Sequence, residues 1–174
     1  QGYTGDGATS YINTNFNELS GGLNYTQNSN CIGAYITTNV LGAVNDAGIF
    51  DATNITVINP RSTGDAAFTN SNMALASIAS YGNTDSRGFY TARRTSSSAG
   101  AVFQNGVSKI TQAITSTALI NGNIYALARN TTPATPAAFS TRRQAILVIG
   151  GGGINQSELY TNIQTLATSI GFNV

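Results

Sequence analysis

Apolar residues recur along this chain in blocks of strand length, on alternate positions, and Gly, Asn, Ser, Thr or Pro closes each block. A period of two lays one face of a strand on a core, and frequent turn residues between such blocks commit a chain to antiparallel sheets. Tyr11 to Phe16 is the first block. Asn30 to Thr38 carries Ile32, Ala34 and Ile36 on one face with Cys31, Tyr35 and Thr37 on the other, which suits a central strand buried on both sides. Ile55 to Asn59 runs into Pro60, whose missing N–H predicts a strand end or an edge. Met73 to Ile78 alternates Met73, Leu75 and Ser77 against Ala74, Ala76 and Ile78 and is expected as a strand. From Ser86 to Arg94, Phe89, Thr91 and Arg93 take one side and Arg87, Tyr90, Ala92 and Arg94 nearly the other, given a shift at Gly88.

Asn105-Gly106, set between Ala101–Gln104 and Val107–Ile110, supplies the two positive-φ residues of a type I′ turn and predicts a hairpin. A second Asn-Gly, Asn121-Gly122, leads into Ile124 to Arg129, where Ile124, Ala126 and Ala128 oppose Tyr125, Leu127 and Arg129 in one expected strand. Pro133 and Pro136 mark a loop before Phe139 to Ile149, whose end, Ala145 to Ile149, is apolar on both faces and is expected mid-sheet. Gly150 to Gly153 lacks the lysine and Ser/Thr of a phosphate loop and reads as a hinge. Beyond it the period becomes that of a helix: Leu159, Ile163, Leu166 and Ile170 share a face, Asn155 and Glu158 stand at capping-box spacing, and Gly171 is placed to end it. That helix is expected on the outside of the sheets or against a strand edge. The prediction is one all-β domain over residues 1–174, an antiparallel two-sheet β-sandwich of jelly-roll type with one C-terminal α-helix.

Composition narrows the chemistry. Only 9% of the 174 residues are charged, against about 25% in a typical domain, and the net charge is +1. Too few Lys and Arg are present to build a basic face for nucleic acid. With no histidine, the usual general base, zinc ligand and Ser-His-Asp or Cys-His arrangements are missing. Cys31 stands alone and reads as a small buried apolar residue. No run approaches the length of a membrane span, no charged-then-apolar leader is present, and Gln1 suggests a mature or truncated piece. Ser, Thr, Asn and Gly take the place of Lys and Glu, a neutral surface common outside cells.

Several segments carry a family likeness. They are Gly2-Tyr3-Thr4-Gly5-Asp6-Gly7 leading into Thr9 to Asn17, Asp85-Ser86-Arg87-Gly88-Phe89-Tyr90, Phe103-Gln104-Asn105-Gly106, and Ile149-Gly150-Gly151-Gly152 before the helix with Tyr160 and Ile163-Gln164. Together they resemble the concanavalin A-like (laminin-G-like) jelly-roll domains at the ends of phage tail-fibre and other virion surface proteins. The resemblance implies a lectin-like sandwich displayed outside a cell or particle, often within an oligomer. Lectin-type members of that family hold calcium with clustered carboxylates and Asn, and catalytic relatives use a Glu-x-Asp-x-Glu strand. This chain departs from both. Glu18 and Glu158, its only glutamates, are far apart, and the spacing of Asp6, Asp46, Asp51, Asp65 and Asp85 puts no two on one face for acid/base work. Asp46 and Asp51 with Asn45 and Asn54 offer calcium-type oxygen ligands from one loop, in contexts that equally form Asx turns. No cofactor is expected.

The expected function is non-enzymatic: carbohydrate binding or host attachment at a cell exterior or virion surface, without membrane insertion. Sugar recognition needs an aromatic face for the ring and planar polar groups for its hydroxyls. The candidates are Tyr81, Asn83, Asp85, Arg87, Tyr90, Arg93 and Arg129, with Tyr125 as a further aromatic. The alternative is a structural subunit of a virion or filament, acting as a homo-oligomer through exposed strand edges.

Overall fold

The structure is a computed structural model that describes residues 2–22 and 24–174. Two sheets face each other. The first is antiparallel throughout and runs β1 (Tyr3–Thr4), β14 (Arg143–Gly150), β3 (Asn30–Ile36), β8 (Gly88–Arg94), β9 (Gly100–Gln104), β10 (Val107–Gln112), numbered along the chain. The second runs β7 (Tyr81–Gly82), β6 (Ala66–Ala74), β5 (Asn54–Ser62), β4 (Ala47–Phe50), also antiparallel. Two strands share the far side of β4. There β11 (Asn123–Ala126) pairs antiparallel with Ala47 and Gly48, and β12 (Arg129–Thr131) pairs parallel with Ile49 and Phe50. Outside these lie β2 (Ile12–Asn17) on β11 and β13 (Thr135–Ala137) on β12.

Alternation along β3 divides the core in two. Ile32, Ala34 and Ile36 point between the sheets to meet Ile49, Ile58, Tyr90, Ala92 and Ile124, while Phe16, Leu147 and Ile149 close the flank. Tyr35 and Phe89 point the other way and are covered by α1 (Gln156–Ser169) through Ile163, Ala167 and, after it, Phe172. The helix therefore docks on the outer face of the first sheet. Its N-cap is Asn155, whose Oδ1 accepts from Ser157 N at 3.1 Å and Glu158 N at 3.3 Å. Gly171, at φ 78°, turns the chain out of the helix. The buried stripe differs from the expected one: Leu159 and Ile163 are on it, but Leu166 and Ile170 stay 46% and 43% exposed. Ala167 takes their place, since a small residue lets the helix approach the Tyr35 and Phe172 rings, which meet edge-on at 5.6 Å.

The hairpin at Asn105-Gly106 has φ 53° and 76°, as a type I′ turn requires. Other expectations need correction. Pro60 does not end its strand: β5 continues to Ser62 through a register shift between Asn59 and Ser62 that absorbs the missing donor. The expected strand at Met73–Ile78 is instead the tail of β6, followed by a 3₁₀ turn over Leu75–Ser77. Asn121 and Gly122 are absent from the positive-φ positions, so the second Asn-Gly forms no type I′ turn. Ile124 to Arg129 is two strands, because Leu127 at φ 63° reverses the chain against β4. Ala145 to Ile149 lies at the sheet margin, since β1 pairs only with Arg143 and Gln144. Its double-faced apolarity reflects cover on both faces: Ile146 and Val148 lie under the helix, Leu147 and Ile149 over the inner core.

Candidate functional site

Five of the seven sequence-predicted residues come together at one end of the sandwich. Tyr90 Oη donates to Asp85 O at 2.6 Å and accepts from Asn83 Nδ2 and Gln104 Nε2, both at 3.0 Å. Asn83 Nδ2 also reaches Pro60 O at 2.6 Å, and Tyr81 Oη donates to Gln104 Oε1 at 3.4 Å. Arg87 forks onto Asp85 with an Nη2–Oδ2 distance of 2.7 Å and holds that carboxyl below its ordinary range. These groups spend their polar atoms on one another. Tyr90 is fully buried and Asn83 nearly so, and they pin the loop before β8 to the end of β5. Arg93 lies at the other end of β8 on the outer face of the first sheet, donating to Ile154 O at 3.0 Å. Arg129 belongs to the second sheet, its guanidinium 4.7 Å from the centre of the Phe50 ring.

The carboxylates are dispersed and occupied. Asp46 and Arg142 form a wholly buried pair, Nη1 to Oδ2 at 2.7 Å, in which Arg142 also serves the carbonyls of Val40, Gly42 and Arg61. Asp51 accepts from the backbone of Thr53 and Asn54 at 2.7 and 2.6 Å, an Asx turn. The whole of β4 separates Asp46 from Asp51, so they do not share a calcium loop as the sequence allowed. No group of three or more His, Cys, Asp or Glu stands together among the described residues. Asp6 caps the backbone of Ala8, Thr9 and Ser10, and Asp65 pairs with Arg61 at 2.7 Å. Burial pushes the Cys31 thiol up to about 11, so it stays protonated at neutral pH.

A different patch presents Tyr11 and neighbouring asparagines outward, over a Tyr125 that is itself buried. On β11, Ile124 faces the inner core, which turns Asn123 and Tyr125 to the outer face of the second sheet. Opposite them on β2, Asn13 pairs with Tyr125 and Asn17 with Asn123. Between these pairs Thr14, Asn15 and Phe16 oppose Ile124 alone, so Asn15, at φ 59°, bulges from the ladder. The Tyr11 ring lies on Tyr125 at 4.8 Å between centroids, and Phe139 meets Tyr11 edge-on at 6.5 Å. Beside the rings, Asn123 Nδ2 donates to Asn13 Oδ1 at 3.1 Å and Asn17 Nδ2 to Asn121 Oδ1 at 3.0 Å. Asn13, Asn121 and Asn123 each keep a second polar group for a ligand, whereas Asn17 Oδ1 already accepts from Leu19 N at 3.0 Å and Ser20 N at 3.2 Å. Burial, then the neighbouring Tyr11, raises the Tyr125 phenol above its ordinary range and keeps it a donor. No protein-family model matches the chain, and no curated protein matches it either.

Of this platform, sequence reasoning weighed only Tyr125. The signal was the alternation of Tyr11, Asn13, Asn15 and Asn17, amides every second residue behind an aromatic. Reading it needed the pairing with β11, which no local pattern supplies.

Proposed function

We propose that the chain is a non-catalytic carbohydrate-binding module of an extracellular or virion surface, holding a neutral sugar on the Tyr11 ring, which the buried Tyr125 supports from beneath and Phe139 flanks. The observation that carries this reading is the state of Tyr11: one side of the ring rests on Tyr125, and 41% of the residue is open to solvent. A pyranose lays its C–H face on such a ring, and planar amides at the rim match its hydroxyls in direction and spacing. The Tyr11–Tyr125 stack fixes the ring before the sugar arrives, which lowers the ordering cost of binding. The likeness to lectin-type sandwiches points the same way. With the aspartates engaged in turns and ion pairs, Glu18 enclosed by neutral donors and Glu158 apart on the helix, the reading is of recognition without bond cleavage.

The test is a glycan array with the purified chain beside Tyr11→Ala. Neutral glycans are expected to bind, and the variant to lose about tenfold in affinity, the worth of one aromatic stack of about 1.4 kcal/mol. Equal binding by chain and variant contradicts the reading.

A second reading, assembly as a structural subunit, draws on the sheet margin. From Ala145 onward β14 has β3 as its partner among the described residues, and Tyr3 and Ile12 beside it are 71% and 40% exposed. Neutral apolar margins of this kind pair with neighbouring chains. Light scattering decides it: a stable oligomer with no glycan bound selects assembly, and a glycan-binding monomer rejects it.

A further inference from the structure

We infer that the outer face of the first sheet carries a second ligand site, a groove beside Arg93 that takes the anionic group of an acidic sugar. It rests on the glycan-binding reading and assigns a ligand class to a surface remote from the Tyr11 platform. The groove has a volume of about 290 Å³, room for one sugar unit. Its floor is small, Ala99, Gly100 and Ala101, and its walls offer the hydroxyls of Thr95, Ser108 and Thr111.

Charge assigns the ligand. The ion pairs among the described residues use Arg61, Arg87 and Arg142. Arg93 has no carboxylate within pairing distance. It is held all the same: Nη1 donates to Ile154 O at 3.0 Å, and the guanidinium lies 5.0 Å from the centre of the Phe103 ring. A positioned guanidinium with an unspent charge presents a planar fork that fits carboxylate or sulfate. A second cation follows the groove residue Ser108 in the chain. Lys109, the only lysine, is the extra residue of the bulge between Ser108 and Ile110, and it is exposed. Hydroxyl-bearing walls next to an unpaired guanidinium suit a ligand with both an anionic group and ring hydroxyls. A neutral sugar leaves the charge unused, and a hydrophobic ligand leaves the hydroxyls unpaired.

The experiment is an NMR titration of the ¹⁵N-labelled chain with glucuronate, glucose and inorganic sulfate at constant ionic strength. Glucuronate is expected to shift the amides of Arg93, Ser108 and Thr111, glucose to leave them in place at the same concentration, and sulfate to compete more weakly than glucuronate binds. Arg93→Gln is expected to lose at least tenfold in glucuronate affinity and Arg93→Lys to lose less. Thr111→Val, on an exposed position, gives a smaller loss and serves if the arginine variants fold poorly. Tyr11→Ala should keep wild-type glucuronate affinity, which separates this site from the platform. Equal shifts by glucose and glucuronate, wild-type affinity in Arg93→Gln, or sulfate binding as tightly as glucuronate each overturns the assignment. Loss of platform binding in Tyr11→Ala with no glucuronate site refutes this inference alone.

Discussion

Glu18 is enclosed with no cation beside it: Tyr25 Oη and Thr56 Oγ1 donate to Oε1 at 2.7 and 2.6 Å, and Ile120 N donates to Oε2 at 3.0 Å. Burial raises its pKa from the ordinary 4.5, and the three donors only partly offset that. A carboxyl raised in the folded state binds its proton more tightly there than in the unfolded chain. Its contribution is therefore full below 4.5 and is lost as pH rises through the raised value. Thermal melts of Glu18→Gln against wild type should show a smaller fall in Tm across that interval for the variant; an identical fall contradicts the assignment. Arg142 makes the opposite case, a buried cation matched by Asp46. Arg142→Met strands that carboxylate and should cost about 3 to 5 kcal/mol in urea unfolding, with part of it recovered by adding Asp46→Leu. A cost below 1 kcal/mol would mean that the pair is not enclosed as described. Arg142 and Arg143 show what alternation alone cannot decide: neighbours must point opposite ways, yet only the packing determines that Arg142 is buried and Arg143 exposed.

Among the elements, those whose pattern agreed with their packing were legible in the sequence. Both faces of β3, the hairpin and the cap of α1 follow from local rules, because alternation, Asn-Gly and Asn155 each act within a few residues. β6 was not legible. Thr69, Asn70, Ser71 and Asn72 are buried in it, and polar residues earn no strand reading until partners such as Asn30 and Gln27, which take the bonds of Ser71 and Asn72, are known. The reversal at Leu127 was equally hidden, since leucine seldom takes positive φ and only the shared edge of β4 demands it. The candidate site followed the same division: the Tyr81–Tyr90 cluster was visible as a sequence neighbourhood, but the Tyr11 platform joins segments more than a hundred residues apart. One glycine links hairpin to helix. A methyl group on Gly106 would lie 3.0 Å from Tyr160 Cβ, and its φ of 76° suits glycine. Gly106→Ala should cost about 1 to 2 kcal/mol by chemical denaturation and shift the Tyr160 resonances; an unchanged midpoint and unmoved Tyr160 signals would separate the hairpin from the helix.

At the scale of the molecule, the two sheets do different work on their outer faces. The first gives most of its outer face to α1 and leaves the Arg93 groove beyond it. The second sheet leaves the β2–β11 end open, where aromatic rings and amides stand together without a charge among them. Low overall charge keeps long-range steering weak, so recognition depends on contact geometry at these patches and should vary little with salt at the platform. The most direct measurement is an NMR titration of the labelled chain with a neutral oligosaccharide, following protein amides and sugar signals together over a long incubation. Shifts confined to Tyr11, Asn13, Asn123 and Tyr125, with the oligosaccharide intact at the end, are the predicted result. Unmoved amides at those positions throughout the array's best ligands, or the appearance of a new reducing end, would contradict it.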